Sequence, residues 1–523
     1  MVTLARVQRL AVPVAVAFIA LVLLRPTLMP GVGFWDTAEF QTLGPVMGTG
    51  HSPGYPTYAI LGWMANLLLA PFGDPAFRMN LLSALCVAGA TGLSVVLVRR
   101  LTGSTVLGAA AGLGLATAPL AWRLGTHAEG HTLHLFFVVL LFVLLVWWQR
   151  ERQAGDGDRF LVAASVVYGI SAANHSLTLL LAAPIGLYVL AVDPWIWRRV
   201  RVVALCVAAV LGTAALIYLE LPLRAGPFRS PLVYGTPQTW DGFWYVVGAE
   251  QFRGAIVDPF ADLGTKLATL VDRTVTEFGP LAALIPVGFL ATLVREPRYA
   301  LLSGLSVAIT VFFAASYINA DITRYYLGPV FIAWTWLAML AAVAVDEVRA
   351  LTDPAPATDS IAGPVALGTG AAARPWGRPL GLVAAGLAAV LLLVPTAATF
   401  PARAAKIDES RDTSAQRWLD AVLGALEPRA VVVSWWSYST PLWYAQYVEG
   451  RRPDIAIVDD RTRLDESLGG VGDVVDRAVA DGRPVYVIRA DESEITQLGE
   501  RYQIEPVAGA HPLIRIAVRA ARP

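Results

Sequence analysis

Lysine is almost absent from this chain: Lys266 and Lys406 are the only two, and nearly all positive charge is arginine. Charged residues of both signs make up 15% of the 523 residues, against roughly 25% in soluble globular proteins, which excludes an ordinary soluble domain. The signs balance at 40 basic and 40 acidic residues, so nothing marks a nucleic-acid partner. Cysteine is limited to Cys86 and Cys206, both inside apolar runs. That excludes a disulfide framework and reads as packing rather than thiol chemistry. No glycine-rich phosphate loop follows the strand-like segments, which excludes that kind of nucleotide site. No A-x-A-like cleavage site follows the first apolar stretch, which therefore reads as an uncleaved anchor.

What is abundant is apolar sequence. Hydrophobic residues make up 56% of the chain and the mean hydropathy is +0.57, the profile of an integral membrane protein. A spanning helix needs about 20 apolar residues, and about eleven stretches qualify. They centre near residues 17, 89, 113, 140, 167, 184, 209, 287, 309, 335 and 390. The apolar stretch from Pro56 to Pro71 is short and bounded by prolines, and reads as a helix lying along the interface. With that segment not crossing, Arg6/Arg9, Arg99/Arg100, Arg150/Arg152, Arg198/Arg199/Arg201, Arg295/Arg298 and Arg349 all fall on one side. The positive-inside rule makes that side the cytosol and puts the N-terminus there.

This topology predicts a membrane domain over residues 1–400, with outer segments at 26–77 and 220–278 and an Ala/Gly/Pro-rich cytosolic linker at 347–378. Residues 401–523 change character. Short buried strands near 430–435, 454–460, 484–490, 502–507 and 513–518 alternate with helical stretches such as 441–449 and 471–481. That pattern predicts a small extracytoplasmic α/β domain with a mainly parallel sheet. The fold class is thus a polytopic α-helical membrane protein carrying a small C-terminal α/β domain.

Five of the six histidines, His51, His127, His131, His134 and His175, project to the same outer side, with Asp36, Glu39, Glu129 and Asp321 near them. Such groups are costly beside hydrocarbon and mark a functional region. Asp36 and Glu39 are three apart and share a face if helical. They suit a general base, a metal ligand, or a solvated acidic cap. His51-Ser-Pro-Gly-Tyr-Pro56 is a rigid turn that either fixes His51 and Tyr55 or only leads into the next helix.

His127, His131 and His134 fall on one face if helical. No H-E-x-x-H pattern accompanies them, so substrate binding or interfacial polarity is favoured over zinc. Asn174-His175 sits in a tight turn between two apolar runs, where it either caps a helix or faces substrate. Arg123, Arg224, Arg253 and Arg324 are candidates to hold a phosphate or, equally, to snorkel or pair locally, as Arg324 does with Asp321 in one reading. Trp435, Trp436, Tyr438, Trp443 and Tyr444 either stack on a sugar or acceptor, or pack.

The series Trp35-Asp36-x-x-Glu39-Phe, His51-Ser-Pro-Gly-Tyr-Pro, Arg78-x-Asn80-Leu-Leu-Ser83, Glu129-x-x-x-Leu133, Asn174-His175, Leu221-Pro-Leu-Arg224 and Tyr444-x-Gln446-Tyr-Val-Glu-Gly450 resembles a known family. It is the one that includes the animal plexin-type protein O-mannosyltransferase, within the GT-C superfamily of polyprenyl-phosphate-sugar glycosyltransferases. The resemblance covers residues 30–260 well and the remainder loosely. It implies a catalytic acid in the first outer loop, Asp36 with Glu39 second. Where relatives have an adjacent Asp-Glu pair, this chain separates its acids by two residues.

The resemblance implies transfer of a sugar, mannose favoured, from a polyprenyl-phosphate donor to an acceptor hydroxyl on the extracytoplasmic side. The acceptor is a protein or a glycan. The substrate-binding set is His51, Tyr55, Arg123, Glu129, His131, Asn174, His175, Arg224, Asp321 and Arg324, with Arg224 the first choice for the leaving phosphate. No cofactor is required and no metal ligand is assigned; membrane lipid is the medium and the donor's source. A lipid-linked-sugar transporter or flippase, and a non-catalytic scaffold, are the alternatives. No internal repeat supports the former, and the polar groups sit at one surface rather than mid-membrane.

Overall fold

The computed structural model describes residues 4–152, 157–352, 377–489 and 491–519. Most of the predicted 347–378 linker lies outside the described residues. The membrane portion runs through α1 (Leu4–Leu24), α2 (Trp35–Val46), α3 (Pro56–Leu68), α4 (Pro75–Thr102), α5 (Thr105–Ala116), α6 (Pro119–Leu124), α7 (Gly130–Glu151) and α8 (Asp158–Ala172). It continues through α9 (Ala182–Val192), α10 (Val200–Tyr218), α11 (Glu220–Ala225), α12 (Trp240–Val247), α13 (Leu263–Phe278), α14 (Ile285–Arg295), α15 (Pro297–Ala315), α16 (Leu327–Thr352) and α17 (Gly377–Ile407). Each of the eleven predicted centres falls on or at the edge of one of these helices. By length and composition, eight helical runs among the described residues are able to cross a membrane. The runs Thr105–Ala116 and Ser176–Val192 are apolar but shorter. At ~1.5 Å per residue, a helix of such length falls short of the ~30 Å hydrocarbon core unless its neighbours complete the crossing. The run containing α14 starts earlier than its apolar centre implies, at Leu263, because α13 continues into it through a single 3₁₀ stretch.

Local sequence explains the helix limits. Asp74 accepts from the Phe77 amide at 2.8 Å and Pro75 opens α4, while Gly103 in the left-handed region closes it. Ser104 then caps α5. α4, α7 and α16 form the buried centre of the bundle. α3 is short and two-faced: Tyr58, Ala59, Gly62 and Ala65 are buried, while Trp63, Met64, Leu67 and Leu68 are exposed. A Cβ on Gly62 would lie 2.9 Å from the Gly44 Cα, so α2 and α3 cross where neither has a side chain.

The arginine-bearing helix ends gather opposite the site described below and tie neighbouring helices together. Arg100 pairs with Glu151 at 2.5 Å, Arg152 with Asp193 at 2.8 Å, Arg150 with Glu296, and Arg295 with Asp346.

The C-terminal portion holds strands β1 (Val431–Ser434), β2 (Ala456–Val458), β3 (Val485–Ile488), β4 (Tyr502–Pro506) and β5 (Ile514–Val518) in the order β2-β1-β3-β5-β4. β1 is parallel to both β2 and β3, whereas β5 is antiparallel to β3 and β4. The sheet is therefore mixed rather than mainly parallel. β4 and β5 follow each other through a loop too short for a crossover helix, which only an antiparallel pair permits. The helix after β1 starts earlier than expected, at Trp436, and passes into one π-helical stretch, Tyr444–Val448.

Candidate active site

A buried amide pair sets the frame. Gln41, on α2, accepts from the Gly33 amide at 2.9 Å and donates to Asn80 of α4 at 2.8 Å. Asn80 also accepts from the Ala128 amide at 2.9 Å and donates to the Met29 carbonyl at 2.9 Å. Ser83, one helical turn on, accepts from the Glu129 amide at 2.9 Å. These bonds bring the start of α2, the start of α4 and the start of α7 to one point, so Asp36 and Glu129 face the same space.

The turn after α2 adds the histidine. Gly54 has φ +92° and donates to the His51 carbonyl at 2.8 Å. A Cβ there would also meet Leu221 at 3.0 Å and Val246 at 3.2 Å, so glycine is required on both counts. The turn points His51 back at α2. Glu39 accepts from the His51 amide at 2.7 Å and meets its Nδ1 at 2.9 and 3.0 Å. Burial pushes the Glu39 carboxyl up, but the His51 charge and hydrogen bonds outweigh it and hold it below the ordinary value. The same pair, again against burial, raises the His51 pKa. Trp35 and Tyr55, flanking these groups, both hold left-handed backbone, at φ 57° and 52°. That conformation costs a side-chain-bearing residue about 1–2 kcal/mol and is maintained here by surrounding packing.

Arg324, just before α16, crosses the site. Its Nη1 pairs with Asp36 and lies 3.3 Å from Glu129. Glu129 caps α7 by accepting from the His131 amide at 3.0 Å and meets His131 Nδ1 at 2.7 Å. Burial raises the Glu129 pKa, yet Arg324 and His131 win and keep it well below the usual range. Burial, then the neighbouring His131 and His134, hold His175 well below its ordinary value, so its ring is neutral. His175 Nδ1 accepts from the Leu177 amide at 3.1 Å, and its ring lies 4.5 Å from that of His131. Tyr325 stacks on His131 at 5.4 Å.

These groups line one cavity of about 940 Å³, within the size range of small-ligand sites. Of the sequence-predicted residues it contains Asp36, His51, Tyr55, Glu129, His131, His175, Asp321 and Arg324. Glu39 lies directly behind Asp36 and His51, fully buried. One wall is apolar, built from Leu177, Leu179, Leu180, Ile256 and Phe313.

Three predicted binding residues stand outside the lining. Arg224, the first choice for the phosphate, donates to the Met47 carbonyl at 2.6 Å and the Val46 carbonyl at 2.9 Å. It caps the exposed carbonyls at the end of α2, a use that spacing alone does not reveal. Arg123 pairs with Asp321 at 3.0 Å and donates to Thr323 at 2.9 Å, standing behind the lining. Asn174 donates to the Gly130 carbonyl at 3.2 Å and steadies the start of α7. Arg324 binds the carboxylates of Asp36 and Glu129 more closely than that of its neighbour Asp321, whose Oδ2 is 3.9 Å from Nε; Nε donates instead to the Asp321 carbonyl at 3.3 Å. Of the three histidines expected on one helical face, His127 falls outside the helix because α7 begins only at Gly130, while His131 and His134 stay on it with both rings near His175. His127 pairs with Glu409 at 3.0 Å, His131 with Glu129, and His134 with Thr178 at 3.2 Å.

Residues absent from the predicted set also line the cavity. They include Trp35, Phe252, Tyr317, Tyr325 and, from the C-terminal domain, Arg461; Arg253 and Trp436, already candidates for phosphate and for stacking, line it too. Tyr317, Tyr325 and Trp436 carried an aromatic signal beside predicted residues. Arg461 carried none, since its role depends on where the domain docks. Asp36, Glu39 and His51 also lie close enough, within 4.8 Å, to hold a metal ion together. Their donors are already engaged, by Arg324 for Asp36 and by each other for Glu39 and His51.

The overall architecture of bundle and domain has counterparts among solved structures. The chain is similar over 97% of its length, and 98% of the other's, to ArnT from Cupriavidus metallidurans bound to undecaprenyl phosphate (TM-score 0.58, 15% identity). It is also similar to the Archaeoglobus fulgidus oligosaccharyltransferase AglB in complex with an inhibitory peptide and a dolichol-phosphate, over 91% of this chain and 69% of that one (TM-score 0.55, 15% identity).

Residues 36–196 match the family described as the protein O-mannosyl-transferase TMEM260 N-terminal domain. The mouse protein O-mannosyl-transferase TMEM260 is 28% identical over 337 residues, 61% of this chain. The chain spans about half, 46%, of that relative's length.

Proposed function

We propose that this protein is a membrane glycosyltransferase that moves a sugar, with mannose favoured, from a polyprenyl-phosphate donor to an acceptor hydroxyl on the extracytoplasmic side. A protein hydroxyl is the favoured acceptor. The observation that carries this reading is the state of Asp36. Glu39 is 0% exposed and held by His51, and Glu129 is 3% exposed and held by His131 and Arg324. Asp321 is engaged by Arg123 and Thr323. Asp36, with 19% of its side chain exposed, opens on the cavity with one partner, Arg324, and an oxygen still able to accept. The similar proteins add support: one is named a protein O-mannosyl-transferase, and the two solved structures hold undecaprenyl phosphate and dolichol-phosphate. The arginine-rich opposite end agrees with an extracytoplasmic site under the positive-inside rule.

In this mechanism the Asp36 carboxylate takes the proton of the acceptor hydroxyl as its oxygen attacks the anomeric carbon. The new carbon–oxygen bond forms while the bond to phosphate breaks, its electron pair leaving on the phosphate oxygen. Arg324 orients Asp36 and offsets the charge growing on the departing phosphate. His51, its pKa raised by Glu39, and the neutral His175 position sugar or phosphate. The apolar wall receives the first isoprene units. Direct displacement inverts the anomeric centre, and no resident metal is needed.

The test is turnover by purified protein in detergent, offered polyprenyl-phosphate-mannose and other lipid-phosphate sugars. Wild type releases free polyprenyl phosphate or labels an acceptor, and Asp36→Asn does not. Absence of turnover with every donor, with donor binding retained in both forms, would overturn the enzyme reading in favour of a flippase or scaffold.

A further inference from the structure

We infer that the C-terminal α/β domain forms part of the substrate site and supplies Arg461 as a binding group for the donor's phosphate. This inference rests on the proposed transfer reaction.

Arg461 lies on the short helix Asp460–Asp465, which follows β2. Its guanidinium carbon is 3.5 Å from the centre of the Tyr234 ring. Stacking uses only the flat face of the group; the five N–H donors lie in its plane and point outward from the edge. No hydrogen bond or ion pair to those donors exists among the described residues. The nearby acids are engaged elsewhere: Asp460 pairs with Arg463 and Arg489, Asp459 accepts from the Thr462 amide at 2.8 Å, and Asp465, which also feels the Arg461 charge, accepts from the Gly235 amide at 2.9 Å. Arg461 also acts electrostatically on Glu39 and His51, which are bound to each other. Arg324, by contrast, is shared between two carboxylates. The cavity thus holds a preorganised guanidinium that no carboxylate among the described residues pairs with directly, the chemistry that recognises a phosphate.

The stack is held rigidly. Trp436 donates to the Tyr234 hydroxyl at 2.6 Å, and the Tyr234 amide donates to Thr49 at 2.8 Å. Asp465 grips Gly235, so the helix is docked at both ends of one short segment. Trp435 and Trp436 also meet Trp35, beside Asp36, at 5.5 and 6.4 Å. An arginine so fixed loses little freedom on binding.

A sugar acceptor bearing an anion would present the same chemistry, and the assay separates the two sources. Full-length protein in detergent is titrated with polyprenyl phosphate and, as control, uncharged polyprenol. Donor KM and acceptor KM are measured alongside thermal melting. Arg461→Ala is expected to weaken polyprenyl phosphate binding and raise donor KM roughly 10- to 100-fold, with polyprenol binding, acceptor KM and Tm unchanged. Arg461→Lys recovers part of the loss. Unchanged phosphate binding in a folded Arg461→Ala protein would overturn the inference. A rise confined to acceptor KM would also overturn it, reassigning Arg461 to the acceptor. Either leaves the transfer reading intact. Wild type that neither binds polyprenyl phosphate nor turns over donor would overturn both.

Discussion

Under the proposed transfer reaction, replacing Asp36 by Asn and Glu39 by Gln is expected to separate a catalytic acid from a positioning one. Both acids lie on α2 and three residues apart, yet their surroundings assign them different work. Asp36 opens on the cavity and is the proposed base, so Asp36→Asn is expected to lower kcat by a factor of about 10²–10⁴, or ~3–5 kcal/mol. Glu39 touches only His51. Glu39→Gln turns two charge-assisted donors, at 2.7 and 2.9 Å, into neutral ones. At about 1 kcal/mol each, the loss is ~2 kcal/mol, so kcat falls by no more than ~30-fold.

The pH profile makes the test sharper. Glu39 raises the His51 pKa against burial, so the protonated ring persists to higher pH in wild type and is lost only as pH rises through that raised value. Glu39→Gln removes the carboxylate, and the alkaline limb of activity moves to lower pH. Asp36→Asn leaves that limb nearly in place. The assay is release of polyprenyl phosphate from labelled donor across about pH 5 to 8, where an ordinary imidazole titrates, and on to higher pH to catch the raised value. A Glu39→Gln loss exceeding that of Asp36→Asn, with no shift of the alkaline limb, would refute the assignment.

Arg224→Ala is expected to lower Tm, since it strips two bonds from the end of α2, while donor KM stays within about threefold, because the residue lies outside the cavity. A large KM effect at unchanged Tm would return Arg224 to the phosphate. Gly54→Ala forces a side chain into a φ of +92° and against Leu221. A stability loss of about 1–2 kcal/mol or more, read by melting, should accompany reduced turnover as His51 shifts; wild-type behaviour would show the turn to be plastic. Treatment with a chelator is expected to leave turnover unchanged, because Asp36, Glu39 and His51 already bind protein partners. A loss that a divalent ion restores would instead assign that trio to a metal.

The sequence alone determined the membrane class, because hydrocarbon admits only long apolar runs with their backbone paired internally. It also determined where the chemistry gathers: buried charge is costly, so the few acids and histidines stand out against an apolar background. The strands of the C-terminal domain were legible from their short apolar runs, though not the antiparallel turn of β4 and β5, which depends on connection length.

What tertiary structure alone decided is which charges meet. Arg224 and Arg324 look alike in sequence, but one reaches helix-end carbonyls and the other Asp36 and Glu129. Asp36 and Glu39 look alike, but only one opens on the cavity. Arg461 is one arginine among many until docking on Tyr234 carries it some 400 residues back along the chain to face Glu39 and His51. Electrostatic partnership depends on distance and burial, and neither is encoded in spacing along the chain.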